Sequence, residues 1–177
     1  MTQRPGRPAV FFDRDGTLNR DMGYTYRPED LVWNDGAMDA IAAANSAGWL
    51  AIVVTNQSGV GRGLFDEAAM HRFHAHMQAD LARASARIDA FYFCPFHPQA
   101  VSPALRHPNH PDRKPNPGML VRAIADHGID PARSLMIGDS AADAAAAHAL
   151  GLAFLIHTGP DAFAELIAAI HRNSAPK

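Results

Sequence analysis

Asp13 and Asp15 stand two residues apart directly after the short apolar run Ala9 to Phe12, within Asp13-Arg14-Asp15-Gly16-Thr17. A second apolar run, Leu50 to Val54, ends in Thr55-Asn56-Gln57-Ser58-Gly59. A third, Leu135 to Ile137, ends in Gly138-Asp139-Ser140, with Asp143 one helical turn later. Arg113 and Lys114 lie between these runs in a proline-rich stretch. Carboxylates gathered without thiolates are the donor set of a hard cation, and Mg²⁺ takes a few of them while leaving positions to water and a phosphate oxygen. An ion bound by Asp13 and Asp139 would cancel their repulsion and attract a phosphoryl group, with Arg113, Lys114 and the Thr55 hydroxyl on its other oxygens. A carboxylate held there can attack phosphorus while a neighbour manages protons. Asp13 is therefore the expected nucleophile of an aspartyl-phosphate, and Asp15 the acid for the departing oxygen and then the base for the hydrolytic water.

Such residues must be delivered by a scaffold. Apolar runs at Ala9 to Phe12, Leu50 to Val54, Phe91 to Phe93, Leu135 to Ile137 and Ala153 to Ile156 predict five strands, and their lack of polar alternation predicts burial on both faces. Helix-like stretches alternate with them, near Gly36 to Ala47, Asp66 to Ala84, Pro117 to His127, Ala141 to Leu150 and Asp161 to His171. The pattern is α/β, a central parallel sheet of about five strands flanked by helices. In such a sheet the ligand crevice lies beyond the carboxyl ends of the strands, where the carboxylates fall. Asp66 is placed to cap its helix, and Gly48, Gly128 and Gly151 to end theirs in a left-handed residue. Asn19 to Asn34, Gln57 to Leu64 and Pro95 to Pro117 follow neither period. The last holds seven of the thirteen prolines and three histidines, which predicts a surface excursion with no core of its own.

At 177 residues, against the ~150 of a typical domain, residues 1–177 read as one unit with 95–117 as an excursion from it. A formal charge of -2 provides no field for nucleic acid or an anionic membrane. The four apolar residues before Asp13 are too few for a signal-peptide core, and no run is long enough to span a bilayer, so a cytoplasmic protein is expected. One cysteine, Cys94, excludes an internal disulfide and reads as a buried small hydrophobe. His71, His74 and His76 read as a helix surface. Gly59-Val60-Gly61-Arg62-Gly63 reads as a turn, because Leu64 occupies the third glycine of a dinucleotide loop.

Taken in order, Asp13-Arg14-Asp15-Gly16-Thr17, Thr55-Asn56, Lys114, and Gly138-Asp139 with Asp143 resemble the four motifs of the haloacid dehalogenase (HAD) superfamily. Asn19, Asp21-Met22-Gly23-Tyr24, Thr55 through Gly63 and Arg113-Lys114-Pro115 resemble its capless phosphatases of heptose bisphosphate and histidinol phosphate. Cys94-Pro95-Phe96-His97-Pro98-Gln99 and Pro117-Gly118-Met119-Leu120 lean toward the heptose members. The resemblance implies a three-layer Rossmann-like fold with no large cap domain. It implies Asp13 as nucleophile and Mg²⁺ ligand, Asp15 as acid/base and a ligand through its backbone carbonyl, and Asp139 as the third Mg²⁺ contact. Thr55, Arg113 and Lys114 would steady the phosphoryl group. Arg14, Asp21, Gly23, Tyr24, Asn56, Gln57 and Ser58 would face the rest of a small phosphate ester, acted on by a monomer.

Two positions depart from that branch. Its members usually carry a structural zinc in the excursion, but Phe96 stands at a histidine ligand and His110-Pro111-Asp112 at a cysteine pair. Cys94, His97, His107 and His110 offer donors for a rebuilt site; the expectation is a loop ordered by its prolines without zinc. Ser140 stands where heptose enzymes generally place a substrate-facing lysine. Asp143 is open between a helix cap and a site residue. Heptose 1,7-bisphosphate is the favoured substrate and histidinol phosphate its rival. A non-catalytic phospho-ligand binder is the alternative from another class, against which the Asp15 carboxylate speaks, since binding alone does not require it.

Overall fold

A computed structural model of the chain describes residues 6–174. Residues 1–5, part of the leader argument, and 175–177 lie outside it. Five strands are formed, β1 (Ala9–Phe12), β2 (Leu50–Asn56), β3 (Ala90–Cys94), β4 (Leu135–Gly138) and β5 (Ala153–Ile156). They pair in parallel in the order β3-β2-β1-β4-β5. Six helices connect them: α1 (Ala37–Ser46), α2 (Ser58–Gly61), α3 (Glu67–Arg83), α4 (Gly118–His127), α5 (Ala141–His148) and α6 (Pro160–Ser174).

Strand side chains alternate between two apolar layers. Val10, Phe12, Ala51, Val53 and Ile137 pack with α1, α3 and α6, while Ala9, Phe11, Ile52, Val54 and Met136 pack with α4 and α5. β1, β2 and β4 are buried throughout apart from Asn56, which explains their unbroken apolar runs. β1 is the axis of the sheet, with β2 on one side and β4 on the other, so Asp13, Thr55 and Asp139 emerge at one edge.

Local chemistry sets the boundaries. The Asp66 carboxylate accepts from Ala69 N at 2.7 Å and starts α3. Gly128 ends α4 at φ 61°, the left-handed residue expected there. β2 runs two residues past its expected end because Thr55 pairs with Phe93 and Asn56 with Cys94. α2 occupies Ser58–Gly61, in a stretch that showed no period, and its glycines permit close approach: a Cβ on Gly61 would stand 2.3 Å from the Pro95 carbonyl. Among the described residues no helix is long and apolar enough to cross a membrane.

The excursion between β3 and α4 is ordered by its histidines as well as its prolines. Three His-Pro dipeptides close the same small turn: the Nδ1 atoms of His97, His107 and His110 accept from the backbone N–H two residues on, at 3.0, 3.1 and 3.1 Å. The Phe96 and His110 rings stack with centroids 3.7 Å apart and planes 4° from parallel. The resemblance places zinc ligands at these two positions. Phe96 has no donor atom, and His110 spends Nδ1 on its own backbone. Among the described residues, Cys94, His97, His107 and His110 form no set of three donors close enough to share an ion. The loop does not fit zinc. Elemental analysis of protein purified from zinc-supplemented cells should return well under one zinc per chain, and a zinc chelator should leave the melting temperature unchanged; stoichiometric zinc would contradict the ring-stacked arrangement.

Candidate active site

Beyond the carboxyl edge of the sheet lies a cleft of about 330 Å³. Asp13 and Asp15 just after β1, Thr55 from β2 and Asp139 just after β4 line it, together with Lys114 from the excursion. Asp21, Gly23 and Tyr24 form one wall, and Asn56, Gln57 and Ser58 another. Ser140 and Asp143 complete the floor.

Lys114 is the centre of this arrangement. Its Nζ donates to Asp13 Oδ1 at 2.6 Å and to the Val54 carbonyl at 2.8 Å, and stands 2.6 Å from Asp143 Oδ1. Burial works against its charge, but Asp13 and Asp143 more than compensate and raise its pKa, so it is a cation. The Asn56 amide clamps the loop to β2 by accepting from Lys114 N and donating to Lys114 O, both at 3.0 Å. Asn56 thus borders the cleft, but its amide is committed to positioning Lys114 instead of facing a substrate.

Asp15 is held by a different set. The Arg14 fork reaches its two oxygens at 2.8–3.1 Å, Asn19 Nδ2 donates to Oδ1 at 3.0 Å, and Gln57 Nε2 to Oδ2 at 2.9 Å. Gln57 also donates to Thr55 Oγ1 at 2.8 Å. Its NH2 group is therefore spent inside the site.

Three expectations, on Arg14, Arg113 and His74, need correction. Arg14 does not face the substrate: its side chain is fully buried behind Asp15. Arg113 does not line the cleft, because its guanidinium turns back to the Phe96 carbonyl at 3.3 Å. Among the described residues, the acidic side chains able to share an ion are those of Asp13, Asp139 and Asp143, with donor oxygens within 4.8 Å of one another; the part expected of Asp15 is its backbone carbonyl, not its carboxylate. His74, read as surface, is 4% exposed and faces the core. That last placement had a signal in the sequence: Met70, His74, Met77 and Leu81 repeat at the spacing of one helix face.

Asp143 serves as cap and site residue at once. Its Oδ2 accepts from Ser140 N and Oγ, closing the capping box that starts α5, while Oδ1 faces Lys114. Burial, followed by the neighbouring Asp143, raises the Asp139 pKa. Burial pushes Asp13 up to about 7 even against the pull of Lys114. Three carboxylates facing one lysine leave an excess of negative charge that a bound cation would relieve. All-oxygen donors of this kind fit a hard divalent ion.

Sequence comparison adds an independent line. Residues 112–174 match a family model for HAD-hydrolase-like proteins. D-glycero-beta-D-manno-heptose-1,7-bisphosphate 7-phosphatase of Photorhabdus laumondii is 40% identical over 161 residues, which cover 90% of this chain and 84% of the relative. The chain belongs to the HAD-like phosphatase family. It is a phosphoric monoester hydrolase by that membership. A solved HAD-like protein from Mesorhizobium loti superposes with a TM-score of 0.89 at 36% identity, covering 98% of this chain and 90% of that one. D,D-heptose 1,7-bisphosphate phosphatase from B. bronchiseptica, solved with magnesium and phosphate, gives 0.78 at 30%, covering 93% and 97%.

In this HAD-like phosphatase the buried His74 makes a pH test possible. Burial, then the Arg14 charge, lowers its pKa to about 3, against 6.5 in the unfolded chain. Between those values the unfolded state binds the extra proton, so stability falls as pH drops from 6.5 toward 3. The slope contributed is up to ~1.4 kcal/mol per pH unit. Urea unfolding between pH 7 and pH 4 should show a steeper loss of stability in the wild type than in His74→Leu; parallel curves would contradict the neutral buried ring.

Proposed function

We propose that this protein is a Mg²⁺-dependent phosphomonoesterase acting on a small phosphorylated sugar, with D-glycero-D-manno-heptose 1,7-bisphosphate the favoured substrate. The observation that carries the reading is Asp13 in contact with a buried lysine while Asp15 borders the same cleft, separately held by Arg14, Asn19 and Gln57. Two carboxylates kept in different environments are suited to different tasks. The Asp13 carboxylate attacks phosphorus, and the ester P–O bond breaks with its electron pair going to the sugar oxygen. Asp15 gives that oxygen a proton. The Asp15 carboxylate then takes a proton from water as the water attacks the aspartyl-phosphate, which frees phosphate and regenerates Asp13. Lys114 offsets charge at Asp13 and beside the phosphoryl oxygens. Mg²⁺ would be held by Asp13 and Asp139 and would supply further charge neutralisation.

Identity to the heptose phosphatases supports the substrate class, and a cleft of about 330 Å³ suits a small ester. Ser140 qualifies the second phosphate. Its hydroxyl is spent on capping α5, so the position contributes no cation to a distal phosphate.

A phosphate-release assay over heptose 1,7-bisphosphate, histidinol phosphate and nucleotide monophosphates tests this. Heptose bisphosphate should be hydrolysed with the highest kcat/KM, activity should vanish with EDTA and return with Mg²⁺, and Asp13→Asn should lower kcat by about 10³-fold or more without unfolding the protein. Faster release from histidinol phosphate would reassign the substrate. No release from any ester would favour a phospho-ligand binder.

A further inference from the structure

Behind Asp15, on the side away from the cleft, the structure holds a buried pair that the reaction above does not use. Arg14 is fully buried. Its guanidinium forks onto Asp15, donates to the Thr25 carbonyl at 2.6 Å and to His74 Nε2 at 3.0 Å, and lies 4.7 Å from the centre of the Phe73 ring. No direction is left for it to swing. His74 in turn stacks on Phe91, centroids 4.3 Å apart and planes 12° from parallel.

The protonation state of His74 follows from this contact. Arg14 can only donate, so Nε2 must accept, and the single ring proton sits on Nδ1. Nδ1 is buried with no partner. An unpaired buried N–H is a cost that a leucine or phenylalanine would not carry, and two buried cations in contact would be worse, which agrees with the depressed pKa. An imidazole that leaves one nitrogen unsatisfied in an apolar layer is there for its other nitrogen.

We propose that Arg14 and His74 are positioning residues for Asp15: His74 fixes the rotation of the Arg14 guanidinium, and the guanidinium fixes the plane of the Asp15 carboxyl relative to the leaving-group oxygen. This rests on the phosphatase reading, and deepens it. A planar fork can set a carboxyl plane, which a lysine ammonium cannot. The consequence depends on the ester. Departure of a sugar alkoxide needs a proton delivered as the P–O bond breaks, whereas nitrophenolate departs readily without one. Misplacing Asp15 should therefore slow alkyl esters selectively.

The test is kcat/KM, which covers the steps through leaving-group departure, for heptose 1,7-bisphosphate and β-glycerophosphate against p-nitrophenyl phosphate. His74→Leu should lower kcat/KM for the alkyl esters by about tenfold or more and for p-nitrophenyl phosphate by no more than about twofold. His74→Gln, which restores an acceptor, should recover most of the loss, and Arg14→Lys should show the same ester dependence as His74→Leu. Equal losses on both ester types, or none on either, would overturn the proposal. If circular dichroism shows His74→Leu unfolded, Arg14→Lys and His74→Gln decide on the same ester pair, with equal losses again overturning it. A wild type inactive on every alkyl ester would overturn the phosphatase reading instead.

Discussion

One buried ammonium ties the chain together. Lys114 reaches from a loop rich in proline to Val54 of β2 and meets carboxylates from the residue after β1 and from the first turn of α5. Removing a single partner from such a cluster strands the rest, at a cost of ~3–5 kcal/mol, whereas apolar residues in place of the whole set would be at least as stable. The cluster is therefore weak as an explanation of folding and strong as an explanation of function. Two further features hold its members in place: the Asn56 clamp anchors the lysine's loop at the end of β2, and the Ser140–Asp143 capping box holds Asp143.

The cleft divides its charges between two cations with different duties. Lys114 borders the cavity and faces Asp13, while Arg14 is sealed behind Asp15. A lysine suits the first place because a compact ammonium can contact several oxygens in turn; an arginine suits the second because a planar fork sets an orientation. Asp13 and Asp15, two residues apart, thus stand in separate fields despite their shared strand end. Gly16 makes the turn after them possible at φ 84°, and a Cβ there would stand 2.0 Å from Asp139. The turn brings the first and fourth motifs into contact only because that position is glycine.

The strands and the two apolar layers were legible in the sequence because burial on both faces leaves no room for polar residues, and Asp13, Thr55 and Asp139 were legible because they follow those strands directly. Strand ends reveal position, but they do not reveal which way a side chain turns. Arg14 and Arg113 both neighbour cleft residues and both point away, one into the core and one to a loop carbonyl. Asn56 and Gln57 line the cleft as expected, while the Asn56 amide is spent on Lys114 and the Gln57 NH2 group on Asp15 and Thr55. Polar side chains choose partners by three-dimensional proximity, on which the linear order is silent. His74 is the instructive case, since its helical spacing with Met70, Met77 and Leu81 pointed inward while its residue type suggested a surface.

The excursion shows how a loop can keep its task while changing what holds it. Its task is to present Lys114, and that requires the preceding twenty residues to be ordered. A metal cross-link would order them by covalent-strength bonds to a few atoms. Here three imidazole acceptors and one ring stack divide the same work among hydrogen bonds and ring packing. Each turn needs an unprotonated Nδ1, since a protonated imidazole has no acceptor. Burial lowers the pKa of His97 and of His110, a shift toward the unprotonated rings that these turns use. The loop that presents Lys114 thus owes its order to imidazole acceptors and a ring stack.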